Sequence, residues 1–305
     1  MSSGTTVETI SFDSHGTRCE ASYLKAVNDA LTTSRGRPCV VMAHGFGGTR
    51  DTGLLPFAEH FAAAGADVLV FDYRGFGTSD GQLRQDVDHR RHREDYHAAI
   101  AAARGRRGVD PDRIAIWGSS YSGGHVIAVA AKDQRVAAVI SQGAAMDGLA
   151  ALLMVREESG IGKTVALTRA GLRDARRAVT RRSPAYVPIV GPPGSAAVLS
   201  APGAEEGYAA ITGPTFRNEM CARGVLRIAA NRPVTAAADV SCPLLLVVAE
   251  RDNIAPVSAV RKVAEKAPRA ETIAFPVGHF DIYTGEPFEK SVAAQVEFLR
   301  RVLAG

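Results

Sequence analysis

The run "IAIWGSSYSGGHVIAVA" places three serines where a strand-like sequence gives way to a helix-like one. A nucleophilic serine needs an exposed hydroxyl, a neighbouring base and amide donors for the oxyanion. A sharp strand-to-helix turn exposes the hydroxyl and requires small residues two before and two after it. Ser120 meets this requirement with Gly118 and Ser122, whereas Ser119 does not, because Trp117 lies two positions before it. The spacing favours Ser120 as the nucleophile; a serine that merely caps the helix is the alternative.

The base and the acid of such a site are expected to follow in the order Ser, Asp or Glu, His. Of the eight histidines, only His279, in "IAFPVGHFD", lies both after the nucleophile helix and just past a strand-like run. Asp252 follows the buried run "LLLVVAE", and a carboxylate there can hold the imidazole in one tautomer and stabilise the imidazolium. The sequence therefore predicts a catalytic triad of Ser120, Asp252 and His279. Weaker candidates for the acid are Glu250, Asp281 and Asp147.

A glycine-rich loop, "HGFGG", follows the third strand-like run. Its glycines allow the backbone to approach a ligand closely. With this type of nucleophile turn, one oxyanion amide comes from such a loop and the other from the residue after the serine. The backbone N–H groups of Phe46 and Tyr121 are therefore the predicted oxyanion donors, and the helix N-terminus after Ser120 adds partial positive charge. An ordinary tight turn is the alternative for the loop taken alone.

A sheet must hold these side chains, because each of them follows an apolar run of strand length. Strand-like and helix-like runs alternate along most of the chain, which predicts a parallel sheet with helices on both faces. The expected strands are Val7–Asp13, Arg18–Leu24, Arg37–His44, "ADVLVFDYRG", "RIAIWG", Val136–Ser141, "PLLLVVAE" and "ETIAFP". The expected helices are Leu54–Ala62, Asp95–Arg104, Ser120–Lys132, Val257–Lys266 and Phe288–Leu303.

Residues 150–235, called the cap segment below, interrupt this alternation. They contain a basic helix-like stretch (Arg169–Arg182), a Pro- and Gly-rich run and a helix-like stretch (Phe216–Ala230), with twelve basic residues against six acidic ones. We interpret the segment as an insertion that covers the sheet, while residues 1–149 and 236–305 form the core domain. Six apolar residues could wall a substrate cleft or simply form helix core: Leu152, Leu153, Val155, Ile161, Val165 and Leu167.

Five motifs, "HGFGGTRD", "FDYRGFGTSDG", "WGSSYSGGHV", "AERDNIAP" and "GHFDIY", occur in this order. With them the chain resembles serine hydrolases of the α/β-hydrolase superfamily, particularly the branch of dienelactone hydrolases, fermentation–respiration-switch proteins and acylaminoacyl peptidases. The resemblance covers residues 5–145 and 236–303 approximately. It implies the α/β-hydrolase fold, a doubly wound, mostly parallel sheet of about eight strands with an inserted cap, and the triad and oxyanion residues named above.

Composition argues against several other classes of protein. The N-terminus lacks the basic and apolar regions of a signal peptide, and no run approaches the roughly 18 apolar residues of a membrane span. The four cysteines lack CxxC spacing, which argues against a metal site and a disulfide framework, and a reducing cytoplasm without membrane association is predicted. No cofactor is expected, because the loops "GFGTSDG" and "GFGG" lack the phosphate-loop and dinucleotide patterns. The stretch "DVDHRRHREDYH" is interpreted as a solvated helix start, with a metal site as the alternative; its candidate ligands are Asp86, Asp88, His89, His92 and His97.

The predicted reaction is hydrolysis of an ester, thioester or lactone through an acyl-enzyme on Ser120. The expected partner is a small-molecule acyl substrate. The basic residues of the cap segment are interpreted first as a solvated face and second as a surface that attracts an anionic or carrier-bound substrate. A nucleic-acid patch comes third, because the segment lacks interleaved aromatic residues. Alternatives are an acyltransferase or a peptidase on the same triad and a non-catalytic scaffold that binds a ligand. The sequence is compatible with an oligomer.

Overall fold

The computed structural model describes residues 7–304, and a sheet of eight strands lies at its centre. The strands in chain order are β1 (Val7–Ser14), β2 (Thr17–Leu24), β3 (Arg37–Ala43), β4 (Asp67–Phe71), β5 (Val109–Ser119), β6 (Ala138–Gln142), β7 (Tyr186–Val187), β8 (Met220–Cys221), β9 (Leu244–Ala249) and β10 (Ala270–Phe275). The central sheet has the order β1-β2-β4-β3-β5-β6-β9-β10, and β7 pairs only with β8. Strands β1, β2 and β4 pair antiparallel, and every other pair in the central sheet is parallel. The mostly parallel sheet expected from the sequence is confirmed.

The inner strands are apolar on both faces, because helices cover both sides of the sheet. Every residue of β4 and of β9 is buried. Successive side chains of a strand point to opposite faces, so Val40 and Val41 of β3 belong to two different apolar clusters. The strands therefore read as continuous hydrophobic runs, which is why their positions are visible in the sequence.

Eight helices accompany the strands, and their bounds are α1 (Leu55–Ala63), α2 (His89–Arg104), α3 (Tyr121–Ala130), α4 (Gly148–Val179), α5 (Ala204–Ala209), α6 (Val225–Ile228), α7 (Val257–Lys266) and α8 (Gly285–Leu303). None of them, within residues 7–304, combines the length and the apolar character that crossing a membrane requires. Helix α2 begins well before the predicted Asp95, because the Asp88 side chain accepts a hydrogen bond from the Arg90 amide and caps it.

The cap segment is dominated by α4, which contains the predicted basic stretch as far as Val179 and is broken at Gly160 (φ 75°, ψ 166°). The single helix expected over Phe216–Ala230 is wrong. Met220 and Cys221 form β8, a 3₁₀ turn follows at Ala222–Gly224, and α6 is only four residues long. Pairing of β8 with β7 gives hydrogen-bond partners to backbone N–H and C=O groups that a continuous helix would pair within itself.

Candidate active site

Ser120 occupies the sharp turn between β5 and α3, with φ 56° and ψ −118°. This conformation is uncommon for a residue with a side chain and requires close support from its surroundings. A Cβ at Gly118 would lie 2.3 Å from the carbonyl oxygen of Ser122, so position 118 accepts only glycine without rearrangement. A Cβ at Gly45 would lie 3.0 Å from the Cβ of Ser120, so the loop after β3 approaches the turn closely.

The other two predicted triad residues lie beside Ser120. Asp252 follows β9 and His279 follows β10, and both side chains are almost fully buried, at 2% and 3% exposed. His279 Nε2 lies 3.1 Å from Ser120 Oγ, and His279 Nδ1 lies 2.6 Å from Asp252 Oδ2. The second oxygen of Asp252 accepts backbone N–H groups at 2.8 Å and 2.7 Å from Ile254 and Ala255. Hydroxyl, imidazole and carboxylate thus form one hydrogen-bonded chain, with the carboxylate held in place by its own loop.

The neighbouring serines face elsewhere. Ser119 Oγ contacts the hydroxyl of Tyr283 and lies 3.3 Å from the carbonyl oxygen of Gln142. Ser122 is fully buried, and its Oγ donates to the carbonyl of Ala43 at 2.7 Å and accepts the Ser119 amide at 2.9 Å. Ser122 stands where the usual G-x-S-x-G pattern of such turns has its second glycine, and here it ties α3 to β3. Neither Ser119 nor Ser122 has a hydrogen bond to a histidine within the described residues.

The weaker candidates for the acid do not contact His279. The side chain of Glu250 is exposed. Asp281 is also exposed and accepts the Gly278 amide at 2.8 Å. Asp147 caps α4 and forms an ion pair with Arg232 at 2.9 Å. Of the four acids considered, Asp252 is the one that the structure brings to the imidazole.

Phe46 and Tyr121, the predicted oxyanion residues, flank Ser120. Their rings pack edge to face with centroids 5.2 Å apart. Neither backbone N–H has an acceptor among the described residues. Buried backbone donors are nearly always paired, so two free amides, one in the loop after β3 and one at the N-terminus of α3, form a site that can bind a negatively charged oxygen.

A cavity of about 260 Å³ opens at Ser120 beneath the cap segment. Its wall is almost entirely apolar, and its polar side chains are Ser120, Tyr121, Thr164, Thr168 and Asn231. Three of the six apolar cap residues picked out in the sequence line it: Leu152, Val155 and Leu167. The other three, Leu153, Ile161 and Val165, are exposed on the outside of α4, so the prediction that they line a substrate cleft is wrong.

Two supports of this site were missed at the sequence level. Tyr208 of α5 donates its hydroxyl to the carbonyl of Phe46 at 2.7 Å and so fixes the loop after β3. Arg93 of α2 donates to the side-chain oxygen of Asn231, which lines the cavity. Burial lowers the pKa of Arg93, which has no carboxylate partner within the described residues. No local pattern marks either residue, because each acts only through a partner more than a hundred positions away in the chain.

The stretch "DVDHRRHREDYH" differs from its prediction as a solvated helix start. His89 and His92 are buried, and the His92 ring stacks on Tyr73 with centroids 4.0 Å apart. Together with His44 and with His125 of α3 they form a buried cluster, in which burial lowers the pKa of each imidazole, to about 4 for His44 and His89. Among residues 7–304 no three His, Cys, Asp or Glu side chains are close enough to hold a metal ion.

Comparisons with known proteins agree with this architecture. A model of the alpha/beta hydrolase fold family matches residues 38–161. The quorum-quenching protein AidA of Acinetobacter baumannii is 39% identical over 96% of this chain and 94% of its own length. The thiohydrolase aneE of Aspergillus aculeatus is 30% identical over 88% of this chain and 86% of its own. The crystal structure of the α/β hydrolase GrgF from Penicillium sp. sh18 is 23% identical, with a TM-score of 0.80 over 98% of this chain and 100% of that one.

The chain belongs to the α/β-hydrolase superfamily, and it is an enzyme. The likeness to GrgF is a likeness of fold. A curated protein of that name, polyketide transferase grgF of Penicillium sp., is 38% identical over a shorter stretch, 34% of this chain and 35% of its own length. The narrower branch that the five motifs resemble stays a prediction.

Proposed function

We propose that this enzyme is a serine hydrolase that cleaves an acyl bond through Ser120, His279 and Asp252. His279 Nε2 takes the proton of the Ser120 hydroxyl as Oγ attacks the carbonyl carbon, and Asp252 stabilises the imidazolium that forms. The Phe46 and Tyr121 amides bind the resulting oxyanion. His279 then protonates the leaving group, and an acyl-enzyme remains. Water, deprotonated by His279, releases the acid.

The observation that carries this proposal is the hydrogen-bonded chain from Ser120 Oγ through His279 to Asp252. A nucleophile, a base and an orienting acid in mutual contact, next to two free amides, are the parts that acyl transfer requires. The reaction needs no cofactor or metal. A non-catalytic ligand-binding scaffold would have no need to hold Ser120 in a strained conformation.

The proposed substrate is a carboxylic ester, thioester or lactone whose acyl group enters the apolar cavity. The lining by Leu152, Val155 and Leu167 accepts a hydrocarbon chain and offers no charged partner for a peptide. The name of one relative, thiohydrolase aneE, supports a thioester among these acyl bonds.

The test is a panel of p-nitrophenyl esters of graded chain length, with thioesters and lactones, on wild type, Ser120→Ala and Ser119→Ala. Ser120→Ala should lower kcat by at least about 1,000-fold. Ser119→Ala, the matched control, should stay within a few-fold of wild type, because its hydroxyl faces Tyr283 and Gln142. Full activity of Ser120→Ala would falsify the proposal.

A second candidate function is acyl transfer, in which an alcohol, thiol or amine replaces water at the acyl-enzyme. It is supported by the relative named polyketide transferase, which shares 38% identity over 104 residues. Product analysis with a competing nucleophile separates the two. A free acid as the main product supports hydrolysis, and a transferred acyl group that accumulates at the expense of the acid supports the transferase.

The substrate is further proposed to be anionic or attached to an anionic carrier. Arg169, Arg173 and Arg176 lie exposed along α4, and none forms an ion pair within the described part of the chain. Exposed charges attract an anion over a distance that salt shortens, to about 10 Å at 0.1 M. Raising the salt concentration should increase KM for an anionic ester and leave KM for a neutral ester of equal length unchanged. An equal response of both esters would contradict this assignment.

The cytoplasmic location predicted from the sequence also remains a proposal. All four cysteines are buried as free thiols, which fits a reducing compartment. Cell fractionation of the native organism, with activity followed in each fraction, tests it.

A further inference from the structure

Helix α4 carries most of the large apolar side chains that the protein exposes to solvent. Within residues 7–304 ten such side chains are exposed, and six of them lie on this helix. A single exposed apolar side chain is ordinary, but several on one element mark an interaction surface. Four of the six, called the apolar row below, are 40% to 85% exposed: Ile161, Val165, Leu172 and Val179.

The apolar row lies on the part of α4 that follows its break at Gly160. Its last three members are seven residues apart, which is nearly two helical turns, and Ile161 precedes the first of them by four residues. The four side chains therefore point in almost the same direction. Leu167 lies on the opposite side of the helix and lines the acyl cavity. The apolar row is thus turned away from the cavity and toward solvent.

A row of arginines lies directly beside the apolar row. Arg169 and Arg176 are each three or four residues from members of the apolar row, and Arg173 is four residues from Arg169, so all of these side chains are neighbours on the helix surface. The three arginines are exposed. The ion pairs of the cap segment use other arginines: Arg223, Arg227 and Arg232.

Acidic side chains do not compensate this positive charge locally. Residues 161–182 contain seven basic residues and one acidic residue, Asp174. Asp174 is fully buried, and its two oxygens accept hydrogen bonds from the Arg223 side chain at 2.6 Å and 2.9 Å. The apolar row and the three arginines, together called the outer face of α4, therefore combine exposed aliphatic area with uncompensated positive charge.

These two properties together select the partner of the outer face. A second copy of the chain in a symmetric dimer would bring the same positive charges against one another. A nucleic acid would pair its phosphates with the arginines and leave the apolar row uncovered. An anionic lipid bilayer matches both rows, because its phosphates pair with arginine while aliphatic side chains enter the boundary between head groups and acyl chains.

We propose that the outer face of α4 binds the surface of an anionic lipid bilayer. Such binding is peripheral, so it needs neither a spanning helix nor a signal segment, whose lack in the sequence was the reason to expect no membrane association. Four aliphatic side chains bury little area, so attraction between the arginines and anionic lipid is required as well. The inference goes beyond the proposed function, because it does not depend on the chemistry at Ser120.

The experiment is co-sedimentation of the full chain with two kinds of vesicle, one of phosphatidylcholine alone and one of an equal mixture of phosphatidylcholine and phosphatidylglycerol. Wild type should pellet with the mixture and stay in the supernatant with phosphatidylcholine alone. Raising the salt concentration from about 0.1 M to about 1 M should release it, because the screening length falls from about 10 Å to about 3 Å.

Two sets of substitutions test the two rows separately. Arg169→Gln, Arg173→Gln and Arg176→Gln together should lower the partition coefficient by roughly 100-fold, about fivefold for each charge lost. Leu172→Gln with Val179→Gln should lower it by at least about tenfold with every charge kept. Thermal unfolding checks that the variants fold, since all five side chains are exposed and glutamine suits a helix.

The matched control removes three positive charges from another exposed helix surface. Arg261→Gln, Lys262→Gln and Lys266→Gln on α7 give the same net charge as the arginine variant, and the partition coefficient should stay near that of wild type. Equal losses from the α7 and α4 variants would overturn the inference, because attraction would then not depend on the outer face.

Two further results would also overturn it. One is a wild type that stays in the supernatant with both kinds of vesicle. The other is a wild type that sediments as a dimer without vesicles and becomes a monomer in the Leu172→Gln, Val179→Gln variant, because the outer face would then be an interface between two copies of the chain.

Discussion

At the scale of single residues, the backbone of Ser120 is the most constrained feature of the site. Its φ of 56° carries strain of about 1 to 3 kcal/mol, which the packing around it must offset. That packing consists of residues too small to clash. A Cβ at Gly123 would lie 2.7 Å from the Cβ of Ala144, and one at Gly124 would lie 2.3 Å from the carbonyl oxygen of Ala145. The glycines after Ser120 are thus needed to seat α3 against the loop after β6.

A Gly118→Ala substitution should therefore disable the site without touching any reacting group. The added Cβ meets the Ser122 carbonyl oxygen at 2.3 Å, and a backbone atom cannot rotate away as a side chain can. We expect a loss of about 1 to 3 kcal/mol in the free energy of unfolding and at least a tenfold loss in kcat. Urea unfolding and ester hydrolysis measure the two effects. Gly105→Ala is the control for the substitution itself, since its φ of −81° suits alanine and its added Cβ would lie no closer than 3.6 Å to its neighbours, so it should leave kcat and stability near wild type.

Asp252→Asn should reduce kcat by roughly 1,000-fold or more with little change in KM. The amide NH₂ group can face His279 Nδ1 as a donor, which stabilises the wrong tautomer and leaves Nε2 unable to accept the Ser120 proton. Steady-state kinetics on an ester measures this. Glu250→Gln is the matched control, because Glu250 follows the same strand β9 but is exposed, and it should behave as wild type. Comparable losses in the two variants would contradict the role of Asp252.

At the scale of elements, the cap segment both closes the cavity and holds the loop after β3. Ile189, which is fully buried, packs so tightly on Gly47 that a Cβ there would lie 2.5 Å from Ile189 Cδ1. Tyr208 reaches the same loop from α5 with its hydrogen bond to the Phe46 carbonyl. The position of the Phe46 amide thus depends on an element that is remote in sequence.

Tyr208→Phe should lower kcat by roughly fivefold and leave KM nearly unchanged, because one hydrogen bond of about 1 kcal/mol holds the oxyanion loop. The ring stays in place, so its packing against Phe216 and Phe280 is kept. Steady-state kinetics on one ester is the measurement. Tyr186→Phe, which removes a hydroxyl from an exposed tyrosine of the cap segment, should have no effect. A loss confined to KM would indicate that Tyr208 shapes the pocket and does not position the amide.

The strands and the contact among Ser120, Asp252 and His279 could be predicted from the sequence, because both depend on local sequence signals. Buried parallel strands are continuous apolar runs, and each of the three side chains follows one of them. The break of α4 at Gly160 could not be predicted, because the sequence around a glycine in a helical pattern does not determine its φ. The predicted helix α2 starts too late, at Asp95, because His89 and His92 are buried although they are polar residues. Burial by tertiary packing leaves no trace in local periodicity.

At the scale of the whole molecule, charge and burial are distributed unevenly. The basic excess lies on the cap segment, where exposed arginines of α4 face solvent. Around α3, by contrast, lie four buried histidines, of which His44, His92 and His125 are in contact with Tyr73. His92 and His125 have no hydrogen-bond partner for either ring nitrogen within the described chain, so protonation would place an unpaired cation in the core.

The buried histidines make the fold sensitive to mild acid. Their folded-state pKa values lie below the ordinary value of about 6.5, so the unfolded chain binds more protons as the pH falls. These groups therefore do not affect the free energy of unfolding above pH 6.5, and they lower it progressively as the pH falls from 6.5 toward 4. His92→Phe keeps the stack on Tyr73 and removes the titrating group, so it should lose less stability than wild type between pH 7.5 and pH 5. Urea unfolding at both pH values measures the difference. His15→Asn, a change at an exposed side chain, should reproduce the wild-type loss, and an identical loss in His92→Phe would show that the acid sensitivity arises elsewhere.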